Sequence, residues 1–348
     1  MTDKLTRRYR RLLFAYPGAY RRLRGEELLG ALLDAAPSGR TWPTVREAAN
    51  LIRHGLRARL GRPASRTVVA WTVLTVVISG VFSAAFATRA GWQTARPLPR
   101  AAEAQAMLAE ILPGQKFIGL QDAPALFVIY GQPLSWNSAQ DLLFGDGGEY
   151  GQSGIAGGVD APTLPPQETV ALVQHNLRAR GWRIYSLKVD GQDTAIVAQR
   201  GDTVLRMDVY PPQAAISPPI NAGFLRATPF AVYPFGITGG ILGALVAFLL
   251  FGWASRRTEG RHPALSVVAK MLLGITLFFW WVPTLFAFQW MTRHYQDQPN
   301  PSWPPMWEWL GQPTLSLLFL IGCGSALLGL ALAAIPRHEN EPLSTAAA

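Results

Sequence analysis

The chain has 348 residues, of which 49% are hydrophobic and only 16% are charged, and it contains 12 tryptophans. Soluble domains carry roughly 25% charged residues, so this composition argues against an ordinary soluble protein and indicates a membrane protein. The length allows two or three structural units. Because Cys323 is the single cysteine, no internal disulfide can form, and every unit must be stable without one.

The first long apolar segment, Thr67–Ala87, contains no charged residue. At 1.5 Å per residue, a helix of this length just crosses a hydrocarbon core of roughly 30 Å. Residues 1–66 hold 15 lysines and arginines against 5 acidic residues, so the whole net charge of +10 precedes this segment. A basic excess marks the cytoplasmic side of a span and predicts a cytoplasmic N-terminus. We interpret the span as an uncleaved anchor, although Ala85–Ala87 faintly resembles a cleavage site.

Residues 1–66 are predicted to form a cytoplasmic module of three amphipathic helices. Pro17-Gly18 ends the first helix, and Pro37–Gly39 ends the second. The third helix opens at Thr44 with Glu47 three residues later, which is the spacing of a capping box. The apolar face predicted for this third helix consists of Val45, Ala48, Ile52, Leu56 and Leu60.

The module is rich in arginine, and the arginines are spread over all three helices. Two interpretations stay open for them: contact with anionic membrane lipid, or docking of a cytoplasmic regulatory protein. No recognition-helix pattern is present, so we expect no nucleic-acid partner. The candidate contact residues are Arg7, Arg8, Arg10, Arg11, Arg53 and Arg57.

Two stretches of the module carry a resemblance to a known family. They are YRRLLFAYPGAYRRLRGEELLGALLDAA at residues 9–36 and PTVREAA at residues 43–49. They resemble the N-terminal helical (HAAS-like) signalling module of uncharacterised actinobacterial multi-span membrane proteins. The resemblance covers about 60 residues. It implies a cytoplasmic signalling or docking role rather than catalysis.

Residues 88–230 are predicted to form an extracytoplasmic α+β domain with its linkers. A helix at 100–112 and a second one ending near Arg180 accompany strands at 125–130, 182–189, 194–198 and 203–210. In the last strand, apolar and polar side chains alternate, as in a sheet with one solvated face. The glycine- and proline-rich segment at 144–166 is predicted to be a loop. Residues 211–219, with four prolines, are predicted to be a stiff linker to the membrane.

No motif in this domain specifies a reaction, a metal or a cofactor. The glycine-rich run at 145–151 matches neither a dinucleotide fingerprint nor a phosphate loop. Asp146, Glu149 and Asp160 could bind a cation, but their spacing fits no calcium loop. His175 has no second metal-ligating histidine or cysteine nearby. We therefore expect a protein that is not an enzyme, with no catalytic, cofactor-binding or metal site.

Three further spans are predicted, which places both termini in the cytoplasm of a multi-pass cell-membrane protein. The spans cover 231–253, 264–288 and 313–335; a cytoplasmic loop covers 254–263, a Trp/Pro-rich extracytoplasmic loop 289–312, and a cytoplasmic tail 336–348. Lys270 lies near one end of the third span and either snorkels to the headgroups or serves a function. Pro283 is predicted to kink that span.

The spans contain small residues at four-residue spacing, which permit close helix packing. The candidate packing residues are Gly236, Gly239, Gly240 and Gly243. The sequence leaves open whether they pack within one chain or between the chains of a homo-oligomer.

This layout favours a non-enzymatic envelope sensor or docking protein that couples the α+β domain to the basic module. The alternative from another class is a transporter accessory subunit or small channel built on the four spans. An envelope hydrolase has no supporting motif, and a purely structural membrane protein also stays open.

Overall fold

The architecture below is that of a computed structural model of the chain. It describes residues 2–37, 39–61, 65–122, 126–129, 135–137, 140, 150–190, 193–211, 216–259, 262–297 and 304–336. The α-helices are α1 (Thr2–Leu13), α2 (Gly18–Asp34), α3 (Val45–Arg59), α4 (Arg66–Trp92), α5 (Ala101–Ile111), α6 (Pro166–Ala179), α7 (Val232–Thr258), α8 (Pro263–Asp297), α9 (Met306–Gly311) and α10 (Leu317–Ala334). The strands are β1 (Phe127–Ile129), β2 (Tyr150–Gln152), β3 (Ile155–Val159), β4 (Arg183–Asp190), β5 (Asp193–Arg200), β6 (Thr203–Val209) and β7 (Ile220–Arg226).

Four helices, α4, α7, α8 and α10, are long and apolar enough to cross a membrane. Each overlaps one of the four predicted spans, so the prediction of a multi-pass membrane protein with four apolar helices is confirmed. The reason is local: a long run of mostly apolar residues in a helix satisfies its backbone hydrogen bonds within the helix, so the run can enter a bilayer without unsatisfied backbone groups.

The chain divides into two compact units. The first unit comprises Met1–Val77, Ala244–Leu277 and Cys323–Ala348, and the second comprises Ile78–Gly243 and Phe278–Gly322. Helices α4, α7, α8 and α10 each contribute residues to both units.

In the first unit, α1, α2 and α3 share a small apolar core. Its buried members are Leu5, Tyr9, Leu13, Tyr16, Leu29 and Leu51. The predicted capping box is confirmed: Thr44 Oγ1 accepts from the Glu47 amide at 3.2 Å, and Glu47 Oε2 accepts from the Thr44 amide at 3.1 Å.

The predicted apolar face of α3 is mostly not its packed face. Val45 is 87% exposed, Ile52 41% and Leu56 40%, whereas Leu51 and Gly55 are buried against the other helices. The cause is a close approach at Gly55, where a Cβ would lie 2.7 Å from the Ala15 side chain. Helix α3 turns the side that carries Gly55 toward the segment that follows α1, and this leaves most of the larger apolar side chains outside.

The second unit contains an antiparallel sheet of five strands in the order β3-β7-β6-β5-β4. Helices α5 and α6 pack on one face of this sheet through Leu108, Ile111, Val173 and Leu177. The core includes Ile196, Met207, Ala222 and Phe224 from the sheet. Trp182 stacks on Phe224 with ring centroids 6.1 Å apart. This arrangement agrees with the predicted α+β class.

Two predictions for this domain are wrong. The predicted loop at 144–166 contains β2 and β3 among its described residues, and the predicted linker is followed directly by β7, which pairs with both β6 and β3. Strand β3 carries two glycines, which hid its strand character from the sequence pattern. A Cβ on Gly157 would lie 2.7 Å from the Ile118 carbonyl oxygen, so the neighbouring backbone requires a glycine there.

The predicted Trp/Pro-rich loop at 289–312 also needs correction. Helix α8 continues to Asp297, and Met306–Gly311 forms the short helix α9, followed by a 3₁₀ turn at Gln312–Leu315. Helix α8 continues through Pro283. The predicted tail beyond residue 336 lies outside the described residues.

Candidate functional site

Among the six candidate arginines, Arg8 and Arg10 make contacts within the three-helix module itself. The Arg8 guanidinium lies 3.2 Å from the centroid of the Trp42 ring and donates to the Thr41 carbonyl at 2.5 Å. Arg10 forms an ion pair with Glu26 at 3.2 Å, in which both side chains are more than half exposed. The first contact fixes the segment before α3, whereas the second, being solvated, adds little stability.

The other four candidates lie along α1 and α3. Arg7 and Arg11 of α1 and Arg53 of α3 are exposed, and Arg57 is half-buried. Arg53 and Arg57 thus lie on the same helix as the exposed apolar side chains of α3. The sequence analysis missed this arrangement because it predicted that those apolar side chains are buried.

A polar network that the sequence reasoning missed surrounds Glu47. Arg40 donates to both Glu47 oxygens at 3.1 and 2.5 Å, and the buried Tyr9 hydroxyl donates to Oε2 at 2.9 Å. The hydrogen bonds from Arg40, before all other causes, lower the pKa of Glu47 to about 2. This carboxylate therefore stays charged at neutral pH and joins α1 to the start of α3.

The module is fastened to α7 within the first unit. The Arg256 guanidinium donates to the Arg59 carbonyl at the end of α3. A Cβ on Gly252 would lie 3.0 Å from the same carbonyl oxygen, so the two backbones are close. The Arg59 side chain in turn donates to the carbonyls of Phe14 and Ala15 at 2.7 and 2.6 Å. Arg59 thus connects the end of α3 to α7 and to the segment that follows α1.

Three of the four candidate packing glycines face α4 within the second unit. A Cβ on Gly239 would lie 2.3 Å from the Ala87 side chain, and one on Gly240 would lie 3.3 Å from the Ala84 side chain. One on Gly243 would overlap the Ser83 side chain and lie 3.1 Å from the Ser79 carbonyl oxygen. This row, which we call the glycine seam, packs α7 on α4 within one chain.

The fourth glycine, Gly236, faces the Trp307 indole of α9, where a Cβ would lie 2.5 Å from Nε1. Trp307 also meets Tyr233 edge to face, with ring centroids 6.2 Å apart. All four glycines are therefore covered by the chain itself.

Glu308 of α9 forms a second site that sequence reasoning missed. Its Oε1 accepts a hydrogen bond from Nε1 of Trp92, the last residue of α4, at 2.8 Å, and Trp92 is only 1% exposed. Burial raises the pKa of Glu308 to about 7, opposed by hydrogen bonds from Trp92 and Thr88 and by the charge of Arg89. Trp92 also meets Phe127 of β1 edge to face. We call the contact of Trp92, Thr88 and Glu308 the Glu308 junction.

Arg226, the last residue of β7, is 9% exposed. Its guanidinium donates to the Ser153 carbonyl at 3.2 Å and to the Arg96 carbonyl at 3.3 Å. Burial lowers its pKa. It connects β7 to the segment after α4 and to the segment between β2 and β3.

The described residues contain no group of three or more His, Cys, Asp or Glu side chains that could hold a metal ion. Asp160 and His175 are exposed on the α+β domain, and Lys270 is exposed on α8. Asp146, Glu149 and most of the glycine-rich run lie outside the described residues.

Comparisons with protein-family models, with curated proteins and with solved structures give no match to this chain.

Proposed function

We propose that this chain is a non-enzymatic, multi-pass protein of the cell membrane, with both termini in the cytoplasm. An extracytoplasmic α+β domain senses or binds a ligand, and the basic three-helix module docks a cytoplasmic regulatory protein. The resemblance of residues 9–49 to signalling modules of actinobacterial membrane proteins agrees with this role.

One observation carries the proposal: each of the two soluble parts has its own buried core and a polar contact to the end of an apolar helix. In the first unit this contact is the hydrogen bond from Arg256 to the Arg59 carbonyl. In the second unit it is the bond from Arg226 of β7 to the Arg96 carbonyl, in the segment that follows α4, beside the edge-to-face contact of Trp92 with Phe127 of β1. Parts that are fastened to helix ends in this way can pass a change of helix position to a partner.

The basic charge supports the orientation. All of the net charge of +10 lies in residues 1–66, and Arg256 and Arg257 lie in the last turn of α7. A basic excess next to the ends of spans is retained on the cytoplasmic side.

The orientation is tested with cysteine variants in a Cys323→Ser background. Ala31 of α2 and His175 of α6 are both exposed, so each can be replaced by cysteine with little disturbance. We expect a membrane-impermeant thiol reagent to label position 175 in intact cells and position 31 only after permeabilisation. Labelling of both positions in intact cells would contradict the orientation.

The docking role is tested by photo-crosslinking in the native membrane. A crosslinking amino acid at Arg11, exposed on α1, is expected to capture one specific soluble regulatory protein, and the same probe at His175 serves as the matched control. The amount of captured protein should change when a ligand occupies the α+β domain or when that domain is deleted. Capture of lipid and of copies of this chain alone would refute docking.

A further inference from the structure

The exposed apolar face of α3 has a regular helical spacing. Positions 45, 49, 52 and 56 follow the i, i+4, i+7, i+11 pattern of one helix face. Val45, Ala49, Ile52 and Leu56 occupy these positions, and all four are exposed. We call this row the α3 stripe. The core of the module is completed by other residues of α3, Leu51 among them, so the stripe is left over after the module has folded.

A row of arginines borders the stripe. Arg46, Arg53 and Arg57 repeat at i, i+7 and i+11 on the neighbouring helix row. The one carboxylate of α3, Glu47, is already bonded to Arg40 and Tyr9. An apolar strip beside a cationic row is the pattern of a helix that lies in the interface of an anionic bilayer, with apolar side chains below the headgroups and arginines at the phosphates.

The position of α3 in the chain keeps it near the bilayer. Helix α3 ends at Arg59 and α4, the first apolar helix, begins at Arg66. The few residues between them span at most roughly 20 Å when fully extended. Within the first unit the Arg59 carbonyl is also bonded by Arg256, close to the end of α7. The C-terminal end of α3 is therefore held beside the end of a membrane-spanning helix.

We propose that the α3 stripe lies on the anionic leaflet of the membrane, with Arg46, Arg53 and Arg57 at lipid phosphates. The surface therefore takes phospholipid headgroups, and the module meets the bilayer through α3 and leaves α1 for the regulatory protein. This inference rests on the proposed function in one respect, namely that the module is on the cytoplasmic side, where anionic lipids are concentrated.

The experiment uses the full chain in nanodiscs, in a Cys323→Ser background with one fluorophore at a new cysteine. Ala49→Cys places the label on the stripe, and His54→Cys places it on another exposed face of the same helix as the matched control. The nanodiscs contain brominated phosphatidylcholine with or without phosphatidylglycerol. Since both leaflets then carry the same lipid, the result does not depend on orientation and is separate from the topology test above.

We expect severalfold stronger quenching by brominated chains at position 49 than at position 54, and only with phosphatidylglycerol present. Replacing Arg46, Arg53 and Arg57 together by glutamine should reduce the quenching at position 49 to the level without anionic lipid. As a label-free measurement, hydrogen exchange of the α3 amides in the unlabelled chain should slow in the anionic discs.

Equal quenching at the two positions, or quenching that is indifferent to phosphatidylglycerol, would overturn the proposal. So would shielding of position 49 that appears only in discs holding two chains, because the occupant would then be a second copy. Shielding that appears only after a soluble protein is added would assign the stripe to that protein and would overturn the lipid assignment.

Discussion

Replacing Glu308 by glutamine removes a titratable carboxyl from the Glu308 junction but keeps an oxygen that can accept the Trp92 N–H. The ordinary pKa of the group is 4.5, and burial raises it to about 7 in the closed junction. The closed junction therefore binds the proton more tightly than an opened one, so its stability is complete below about pH 4.5 and falls as the pH rises through about 7. The difference between the two pKa values, about 2.5, corresponds to about 3.4 kcal/mol, which is roughly a three-hundredfold change in the opening equilibrium.

The measurement is hydrogen exchange of the amides of α9 and of the last turn of α4 between pH 5 and 8, in rates corrected for intrinsic exchange. We expect protection in the wild type to fall as the pH rises, and protection in Glu308→Gln to stay high and flat. Glu110→Gln is the matched control, because Glu110 lies in the same unit and its side chain is about half exposed in an ion pair with Arg180. A flat wild-type profile, or a slope that persists in Glu308→Gln, would refute the reasoning.

Three further predictions concern packing and the two cores. Gly243→Ala should lower the free energy of unfolding by about 1–3 kcal/mol, because the new Cβ would overlap the Ser83 side chain. Gly324→Ala is the control and should not destabilise the chain, because nothing lies within 4 Å of a Cβ at that position. The two variants are compared by thermal unfolding in detergent. Glu47→Ala should cost roughly 0.5–1.5 kcal/mol by removing the carboxylate that accepts from the Thr44 amide, and it should speed hydrogen exchange in the first turn of α3. Glu26→Ala should have little effect, and equal effects of the two substitutions would contradict the network. Because the pKa of Glu47 is lowered from 4.5 to about 2, the wild-type contribution should be complete above about pH 4.5 and be lost as the pH falls from there through about 2. Arg226→Met should cost about 1–3 kcal/mol by removing the donor to the carbonyl of the buried Ser153, whereas Met at the exposed Arg178 should cost little. Both variants are measured by denaturant unfolding, and an Arg226→Met chain as stable as the wild type would show that this bond is dispensable.

The features that depend on local patterns could be predicted from the sequence. The four apolar helices follow from runs of uncharged residues, and the capping box follows from the spacing of Thr44 and Glu47. The α5, α6 and β4 to β6 segments follow from periodicity, because alternation within one segment does not need the rest of the chain. The strands β3 and β7 were missed because two glycines and a preceding pair of prolines outweigh the apolar alternation of a short segment.

The candidate sites depend on contacts between distant segments, which no local pattern encodes. Trp92 and Glu308 are 216 residues apart, and Arg40 reaches a carboxylate that is also bonded by Tyr9. Four glycines in a row signalled close packing, but only the tertiary structure showed that α4 and Trp307 occupy the space beside them.

Helix α3 shows most clearly which features follow from a local pattern and which depend on tertiary contacts. The sequence by itself determined that α3 is an amphipathic helix with an apolar row and a basic row. The tertiary structure decided that neither row is the packed one: the side with Leu51 and Gly55 is buried, because Gly55 lets the segment after α1 approach where a larger side chain would hold it away. Side-chain period is a property of one helix, whereas burial depends on which neighbours can come close, and that is determined by the shapes of both partners.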